Sequence, residues 1–211
     1  MRSKLLRPSE YGRYVKLLFW RTVVPWQLRR KGVRVASSAR FFGTPIVSLA
    51  RSSTITIGER CSLASDSKYT ALGVNHPIIL RTLRPNAAIS VGSDTGISGA
   101  SICAGIEVSI GERCLIGANV IIADTDFHPV DPTDRRYCGD DRNIAVKPVI
   151  IEDNVFIGAN TIVLKGVRIG QNSVVGAGST VTRDVPPNSV VAGNPAHVVG
   201  DISQFILPKT D

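Results

Sequence analysis

Residues 149–182, VIIEDNVFIGANTIVLKGVRIGQNSVVGAGSTVT, carry an aliphatic side chain at every sixth position. The residue after each aliphatic is mostly glycine or another small or acidic residue, and the fourth residue after it is small or β-branched. A period of six fits neither the 3.6-residue turn of an α-helix nor the strict alternation of a half-buried strand. The six aliphatic positions are Ile151, Ile157, Val163, Ile169, Val175 and Val181.

Three periods of six bring a chain that turns a corner after each period back above its starting point. Short strands then stack in parallel about 4.8 Å apart, with the periodic aliphatic pointing inward. The sequence therefore predicts an all-β solenoid, a parallel β-helix of hexapeptide repeats. Glycines and the asparagines at the corners supply the left-handed backbone that tight turns need; the asparagines are Asn119, Asn154, Asn160 and Asn172. Two shorter series precede the break, Val91, Ile97, Cys103 and, after a slip of one residue, Ile110, Ile116, Ile122.

The repeat stops at Ile122 and resumes at Ile151, 29 residues later. A loop of about residues 124–148 therefore leaves the solenoid. Within it, residues 123–136, ADTDFHPVDPTDRR, hold four Asp, His128 and two Arg, and little that could form a core. A structureless loop of this length in a compact domain is usually functional or disordered.

The basic charge is concentrated at the N-terminus. Residues 1–40 hold eleven Lys or Arg and one acidic residue, Glu10, for a net +10, so the remaining 171 residues sum to −2. We predict a basic amphipathic helix over residues 1–32, a β-helix domain over 33–192 and a C-terminal tail over 193–211, with Pro25 stopping or kinking the helix. One helical face holds Tyr11, Tyr14, Val15, Leu18 and Thr22, widened by Leu17, Phe19, Trp20, Val23 and Val24.

Two interpretations of this helix stay open: it packs against the body or a partner subunit, or it lies on an anionic membrane surface. Nucleic-acid binding is not expected, because no motif for it accompanies the charge. The four cysteines have no CxxC or zinc-like spacing; they are Cys61, Cys103, Cys114 and Cys138. We interpret them as reduced packing residues of a cytoplasmic protein, for which a peripheral position at the inner face of the membrane stays open.

Two quoted runs carry a resemblance to a known family. Residues 110–129, IGERCLIGANVIIADTDFHP, and residues 147–199, from KPVIIEDNVFIGAN to NSVVAGNPAHVV, resemble the left-handed β-helix hexapeptide acyltransferases. Among them the similarity is greatest to the sugar and polysaccharide O-acetyltransferases related to maltose and galactoside acetyltransferase. The resemblance implies a left-handed coil, a homotrimer with active sites between subunits, and acetyl-coenzyme A as the acetyl donor.

By this resemblance His128 is the catalytic base on the extruded loop. An imidazole of pKa about 6.5 is suited to taking a hydroxyl proton at neutral pH. Asp126, or else Asp124, would hold the other ring nitrogen. Arg135 on the same loop, with Asp94 and Ser98 further upstream, is a candidate for contacting the acceptor.

The donor site implied by the family places the amide of Ala159 at the thioester carbonyl and that of Ala177 at the pantetheine arm. Further candidate contacts are Phe156, Lys165, Arg183, Pro195 and His197, where Phe156, Arg183 and His197 depart from the residues common in relatives. Residues 61–88 break the repeat and are expected to form an insertion.

Alternative functions are N-acetylation of an amino sugar and a non-catalytic scaffold at a membrane surface. A metalloenzyme is not expected, because the three histidines, His76, His128 and His197, are far apart in the sequence.

Overall fold

The computed structural model describes residues 8–133, 135–137 and 143–205. This part of the chain forms a three-sided parallel β-helix that follows one α-helix, α1 (Pro8–Arg30). Each coil contributes one strand to each of three sheets, here called sheets A, B and C, always in that order along the chain. The described residues contain six such coils.

Strands follow the coils in chain order. The first three coils contain β1 (Arg34–Val35), β2 (Arg40–Phe42), β3 (Ile46–Ser48), β4 (Thr54–Ile57), β5 (Ser62–Ala64), β6 (Ile79–Thr82), β7 (Ala88–Val91), β8 (Gly96–Ser98) and β9 (Ser101–Ala104). The next three contain β10 (Glu107–Ile110), β11 (Leu115–Ile116), β12 (Ile121–Ala123), β13 (Val149–Ile151), β14 (Phe156–Ile157), β15 (Ile162–Val163), β16 (Arg168–Ile169), β17 (Val174–Val175) and β18 (Thr180–Val181).

Sheet B extends beyond the sixth coil. Strand β19 (Ser189–Gly193) pairs in parallel with β17, and β20 (Ala196–Asp201) folds back antiparallel onto β19. This hairpin covers the last edge of sheet B, which would otherwise present unpaired backbone groups.

Parallel pairing aligns the equivalent positions of successive coils. Ile151 pairs with Ile169, Ile157 with Val175, and Val163 with Val181, each three periods apart. All of these side chains are buried, as are Ile110, Ile116 and Ile122. The prediction of an inward-pointing aliphatic series is confirmed here.

Cys103 is an exception, and its assignment as an inward position was wrong. In β9 the buried residues are Ile102 and Ala104, while Cys103 between them is half-buried on the outer face. The repeat slips by one residue at this strand. Because side chains alternate between the two faces of a strand, this shift places Ile102 inward and Cys103 outward. Cys61 and Cys114 are fully buried free thiols, and Cys138 lies outside the described residues.

Corner asparagines adopt the left-handed backbone as predicted. The φ angles of Asn119, Asn154, Asn160 and Asn172 lie between 59° and 61°. Their side chains also form ladders along the axis, since the Asn154 amide donates to Asn172 Oδ1 at 2.9 Å and Asn172 donates to Asn188 Oδ1 at 2.8 Å. Each ladder ties neighbouring coils together outside the core.

The segment expected to be an insertion, residues 61–88, belongs largely to the coils. Residues 61–88 contain β5 and β6 in their regular places in sheets B and C, and only residues 65–78 between them form an insertion. Sequence periodicity was weak here because Phe41, Leu63 and Leu80 occupy inward positions that hold Ile or Val in later coils.

Helix α1 continues through Pro25 to Arg30, so of the two predicted effects of Pro25, a stop or a kink, the stop is wrong. The helix packs on the first coil through Trp20, Val24 and Leu28, all buried. These lie on the side of the helix opposite to Val15, Leu18 and Thr22, which are exposed. The side chains of Tyr11 and Tyr14 lie outside the part of the chain that the structure describes. No helix in the described part of the chain has the length and apolar character needed to cross a bilayer.

Candidate functional site

The long loop leaves the β-helix between β12 and β13, at the edge where sheet C meets sheet A. Its two arms pair with each other at the base: Asp126 N donates to Ala145 O at 3.2 Å, and Lys147 N donates to Asp124 O at 2.8 Å. Thr125 and Val146 form the antiparallel bridge between these bonds. The loop therefore rises on a short two-stranded stem with a fixed direction.

Asp124 anchors this stem to the coil below. Its carboxylate is fully buried and accepts three backbone N–H groups, from Gly105 at 2.5 Å and from Ile106 and Glu107 at 2.7 Å each. Hydrogen bonds to an ionised acceptor are about twice as strong as neutral ones. Both carboxylate oxygens are occupied, so the expectation that Asp124 orients an imidazole is not met, and its role is to hold the loop.

His128 follows directly above the stem. Phe127 takes a positive φ of 60° and donates from its N–H to Thr125 Oγ1 at 3.2 Å, while His128 N donates to Asp126 O at 2.7 Å. This tight turn leaves the His128 side chain exposed. Within the described ranges its ring has no hydrogen-bond partner, so it is available to an incoming group.

Asp126 is engaged by a lysine. Lys165 Nζ lies 2.7 Å from Asp126 Oδ1, with both side chains partly buried. The prediction that Asp126 holds the His128 ring is therefore not met in this structure, and Lys165, a predicted donor contact, lies beside the stem at the C–A edge. The pair joins the stem to the fifth coil, one level above, because Lys165 closely follows β15.

The two amide positions predicted for the donor lie on a different edge, where sheet B meets sheet C. Ala159 and Ala177 occupy equivalent corners of successive coils, so closely stacked that a Cβ on Gly158 would lie 2.5 Å from Ala177 N. A Cβ on Gly178 would meet no atom within 4 Å, so the outside of this edge is open. Phe156, predicted to line the donor groove, is exposed beside it on sheet B.

Apolar side chains on the outer surface flank this edge on both sides. Leu115 and Phe156 stand exposed on sheet B, and Ile121 and Ile162 on sheet C. Outward positions of sheet A are mostly small or polar in comparison, as in the hydrogen-bonded pair Ser90 and Ser109.

The remaining predicted donor contacts lie in two places, the C–A edge and the β19–β20 hairpin. Arg183 is exposed just after β18, at the same C–A edge as His128 but further along the axis. Pro195 lies in the turn between β19 and β20, and His197 is exposed on β20. One chain therefore does not bring His128 together with the predicted amide positions of Ala159 and Ala177.

The predicted acceptor contacts are also separated. Asp94, at the corner before β8, accepts two hydrogen bonds of 2.6 Å from Arg60, and this side-chain hydrogen bond is the main cause that lowers the pKa of Asp94. Ser98 lies at the end of β8 in a groove of about 380 Å³. Arg135 donates to the carbonyls of Val130 and Asp131 within its own loop.

Two adjoining grooves run across the outer face of sheet B. The first, of about 560 Å³, holds the Arg60–Asp94 pair, and the second holds Ser98; Ser62, Gly96 and Leu115 line both. Sequence reasoning missed Arg60, together with Arg40, Phe42 and Tyr69 in the same grooves. The alternation of inward and outward side chains along the short strands of the first coils would have placed Arg40 and Phe42 on the outer face.

Metal-ligating side chains do not gather in this region. Among the residues that the structure describes, no group of three or more His, Cys, Asp or Glu is arranged to hold a metal ion.

Comparisons with known proteins agree with the architecture. Residues 107–123 and 148–183 match the family model for the hexapeptide repeat of succinyl-transferase. Galactoside O-acetyltransferase of Lactococcus lactis is 51% identical over 92 residues, which are 44% of this chain and 42% of that protein. Galactoside O-acetyltransferase of Escherichia coli is 43% identical over 96 residues, 46% of this chain and 45% of that protein. The chain thus matches under half the length of these relatives.

Another relative acts on nitrogen. The 2,3,4,5-tetrahydropyridine-2,6-dicarboxylate N-acetyltransferase of Alkaliphilus metalliredigens is 42% identical over 98 residues, 46% of this chain and 35% of that protein.

Solved structures share the fold over most of the chain. A hexapeptide-repeat acetyltransferase of Vibrio cholerae, complexed with acetyl coenzyme A, superposes with a TM-score of 0.55 at 24% identity, covering 92% of this chain and 86% of that one. Galactoside acetyltransferase in complex with coenzyme A gives 0.51 at 24% identity, covering 95% and 85%. The resemblance to the hexapeptide-repeat acyltransferases and the left-handed parallel β-helix with one long extruded loop are confirmed.

Proposed function

From this resemblance we propose that the chain is an acetyl-coenzyme A-dependent O-acetyltransferase whose acceptor is a hydroxyl of a sugar or polysaccharide precursor. The observation that carries the proposal is His128, exposed on a stem that the buried Asp124 fixes to the β-helix. The similarity to two galactoside O-acetyltransferases supports the sugar as acceptor class.

His128 would act as the general base. Its ring takes the proton of the acceptor hydroxyl while that oxygen attacks the thioester carbonyl carbon, an arrangement worth roughly 10²–10⁴-fold in rate. The backbone N–H of Ala159 would stabilise the negative charge that develops on the carbonyl oxygen. When the carbon–sulfur bond breaks, the proton held by His128 passes to the departing thiolate, which leaves as coenzyme A. The acceptor is then an acetate ester, and His128 is again neutral.

Residues at the B–C edge fit the donor. The edge is open outside Gly178, Ala177 is exposed, and Phe156 offers an apolar wall for the pantetheine arm. The donor supplies an activated acetyl group, which these residues hold and orient.

A complete site requires two copies of the chain. His128 and Ala159 lie on edges separated by the width of sheet C, a face of about five or six residues and about 15–20 Å. A contact between the C–A edge of one copy and the B–C edge of the next joins different surfaces, and such contacts form a ring when the rotation closes. We propose a homotrimer, whose interfaces would also cover the apolar side chains beside the B–C edge.

N-acetylation of an amino sugar is the second candidate. The N-acetyltransferase relative matches this chain over a length similar to that of the galactoside enzymes, and the same base and amide would serve an amine. If the chain were a scaffold without activity, it would have the same fold and replacing His128 would change no acetyl transfer.

The test is release of free thiol from acetyl-coenzyme A with a panel of sugars, amino sugars and nucleotide sugars. We expect turnover with a hydroxyl acceptor, a loss of about 10²-fold or more in kcat for His128→Ala, and unchanged turnover for Val130→Ala in the same loop. Turnover only with amines would favour the second candidate, and full activity of His128→Ala would refute the proposed base.

A further inference from the structure

Helix α1 has a second apolar face that the β-helix does not cover. Its buried face, formed by Trp20, Val24 and Leu28, contacts the first coil. On the opposite side Val15, Leu18, Phe19 and Trp26 are exposed by 62, 55, 43 and 53%. These four residues, called here the outer stripe, recur at spacings of three, four and seven that share one helical face. The stripe is about 16 Å long from Val15 to Trp26.

Helix α1 is rich in basic residues, of which Lys16 forms an ion pair with Asp66 and Arg29 donates to the carbonyl of Val35. Residues 15–31 contain Lys16, Arg21, Arg29, Arg30 and Lys31 and no acidic residue. The guanidinium of Arg30 lies 5.0 Å from the centre of the Trp26 ring. Beyond residue 40 the chain sums to −2, so the excess positive charge is confined to the end of the molecule that carries α1.

We propose that the outer stripe of α1 docks on the surface of an anionic lipid bilayer, with the helix lying in the plane of the interface. An exposed apolar stripe with a tryptophan and flanking Lys and Arg is the chemistry that such surfaces bind. A second copy of the chain is a poorer occupant, because symmetric pairing of two stripes would bring their basic borders together. The inner face of α1 is already occupied, so docking does not require the helix to leave the β-helix.

This docking sets the orientation of the protein. Because α1 packs on the first coil, the first-coil end would face the lipid and the axis of the β-helix would point away from it. Any trimer of the kind proposed above would present three outer stripes at one end, which increases avidity. The docking proposal itself does not depend on the activity.

The experiment measures flotation of the full chain with two kinds of vesicle, phosphatidylcholine alone and phosphatidylcholine with about one third phosphatidylglycerol. We expect binding to the anionic vesicles only, weakening strongly between about 0.05 and 0.5 M salt, over which screening shortens to a few ångströms. Leu18→Ser combined with Trp26→Ser should reduce binding at least about tenfold. Leu72→Ser, an exposed leucine in the insertion at residues 65–78, should bind as the unchanged protein does.

A second variant, Arg30→Glu with Lys31→Glu, keeps the stripe and reverses two charges, and should also reduce binding at least about tenfold. Unchanged circular dichroism and melting temperature establish that these surface variants fold. No binding of the unchanged protein, or binding of both variants equal to that of the unchanged protein, would overturn the proposal. Sedimentation that shows the stripe variant, without lipid, in a smaller assembly than the unchanged protein would overturn it in favour of a second copy.

Discussion

Replacing Asp124 with asparagine tests how the candidate base is held in place. The carboxylate accepts three backbone N–H groups, and an amide has one accepting oxygen in place of two. In its better orientation the oxygen of the substituted amide would keep the bonds from Ile106 and Glu107, while the amide nitrogen would face the buried N–H of Gly105. One donor is left unpaired and the other two bonds lose their charge assistance.

Each of these changes has a typical cost in free energy. An unpaired buried N–H costs about 1–3 kcal/mol, and a bond to a charged acceptor exceeds a neutral one by about 1 kcal/mol. We therefore expect Asp124→Asn to lower the free energy of unfolding by about 3–5 kcal/mol, from one unpaired donor and two weakened bonds. Because the loss falls at the base of the loop, the acetyl-transfer rate should fall with it.

Urea unfolding at one fixed protein concentration, followed by circular dichroism, measures the loss, and the thiol-release assay measures the rate. Asp131→Asn is the control: Asp131 lies on the same loop, is exposed, and accepts from Thr133 N at 2.8 Å. Exposed changes of this kind usually cost less than about 0.5 kcal/mol. If Asp124→Asn were as stable and as active as Asp131→Asn, the anchoring role would be refuted.

Three further predictions concern the remainder of the fold. Gly158→Ala should lower stability by about 1–3 kcal/mol in the same urea experiment, because its Cβ would lie 2.5 Å from Ala177 N; a neutral effect would show that the coils separate easily. The Lys16 side chain, through its hydrogen bond, lowers the pKa of Asp66, so the stabilisation by this carboxylate is present above the ordinary Asp pKa of about 3.9 and is lost as pH falls through the lowered value. The stability difference between the unchanged protein and Asp66→Asn should thus be below about 1 kcal/mol at pH 6 and shrink as the pH falls below about 4; a difference that grew on acidification would contradict this. Burial raises the pKa of the Cys61 and Cys114 thiols, so iodoacetamide should label them slowly at pH 7 until urea is added, as read by mass spectrometry; fast labelling of either in the folded protein would contradict their burial.

The β-helix could be predicted from the sequence because each repeat contains its own signature. A buried aliphatic every six residues and an asparagine at the corner are each visible in a single repeat, so the later coils followed directly from the series through Ile151. The first coils were less visible because Phe41 and Leu63 stand where later coils have Ile or Val, and because residues 65–78 separate two strands of one coil. A search for a six-residue period detects only those coils in which the residue types and the spacing stay the same.

Residue type was a weaker guide to the candidate site. The loop and His128 were found from the break in the repeat, yet the roles of Asp124 and Asp126 depended on contacts from other coils. Gly105 and Lys165 lie 19 and 39 residues from them, and no pattern within the loop shows those partners. The same holds for α1, where two apolar faces made the packed side impossible to choose from the sequence.

We propose that the C–A edge of one copy and the B–C edge of the next form each active site. The most direct measurement is the activity of mixed assemblies, obtained by co-expressing differently tagged His128→Ala and Ala177→Trp chains and purifying through both tags. Each variant alone should be inactive, since one lacks the base and the other blocks the donor edge. Every mixed trimer then contains one site whose loop comes from an Ala177→Trp chain and whose donor edge comes from a His128→Ala chain. If each site is shared between two copies, the mixed trimers recover about one third of the activity of the unchanged protein. Mixed assemblies as inactive as the two variants alone would contradict it.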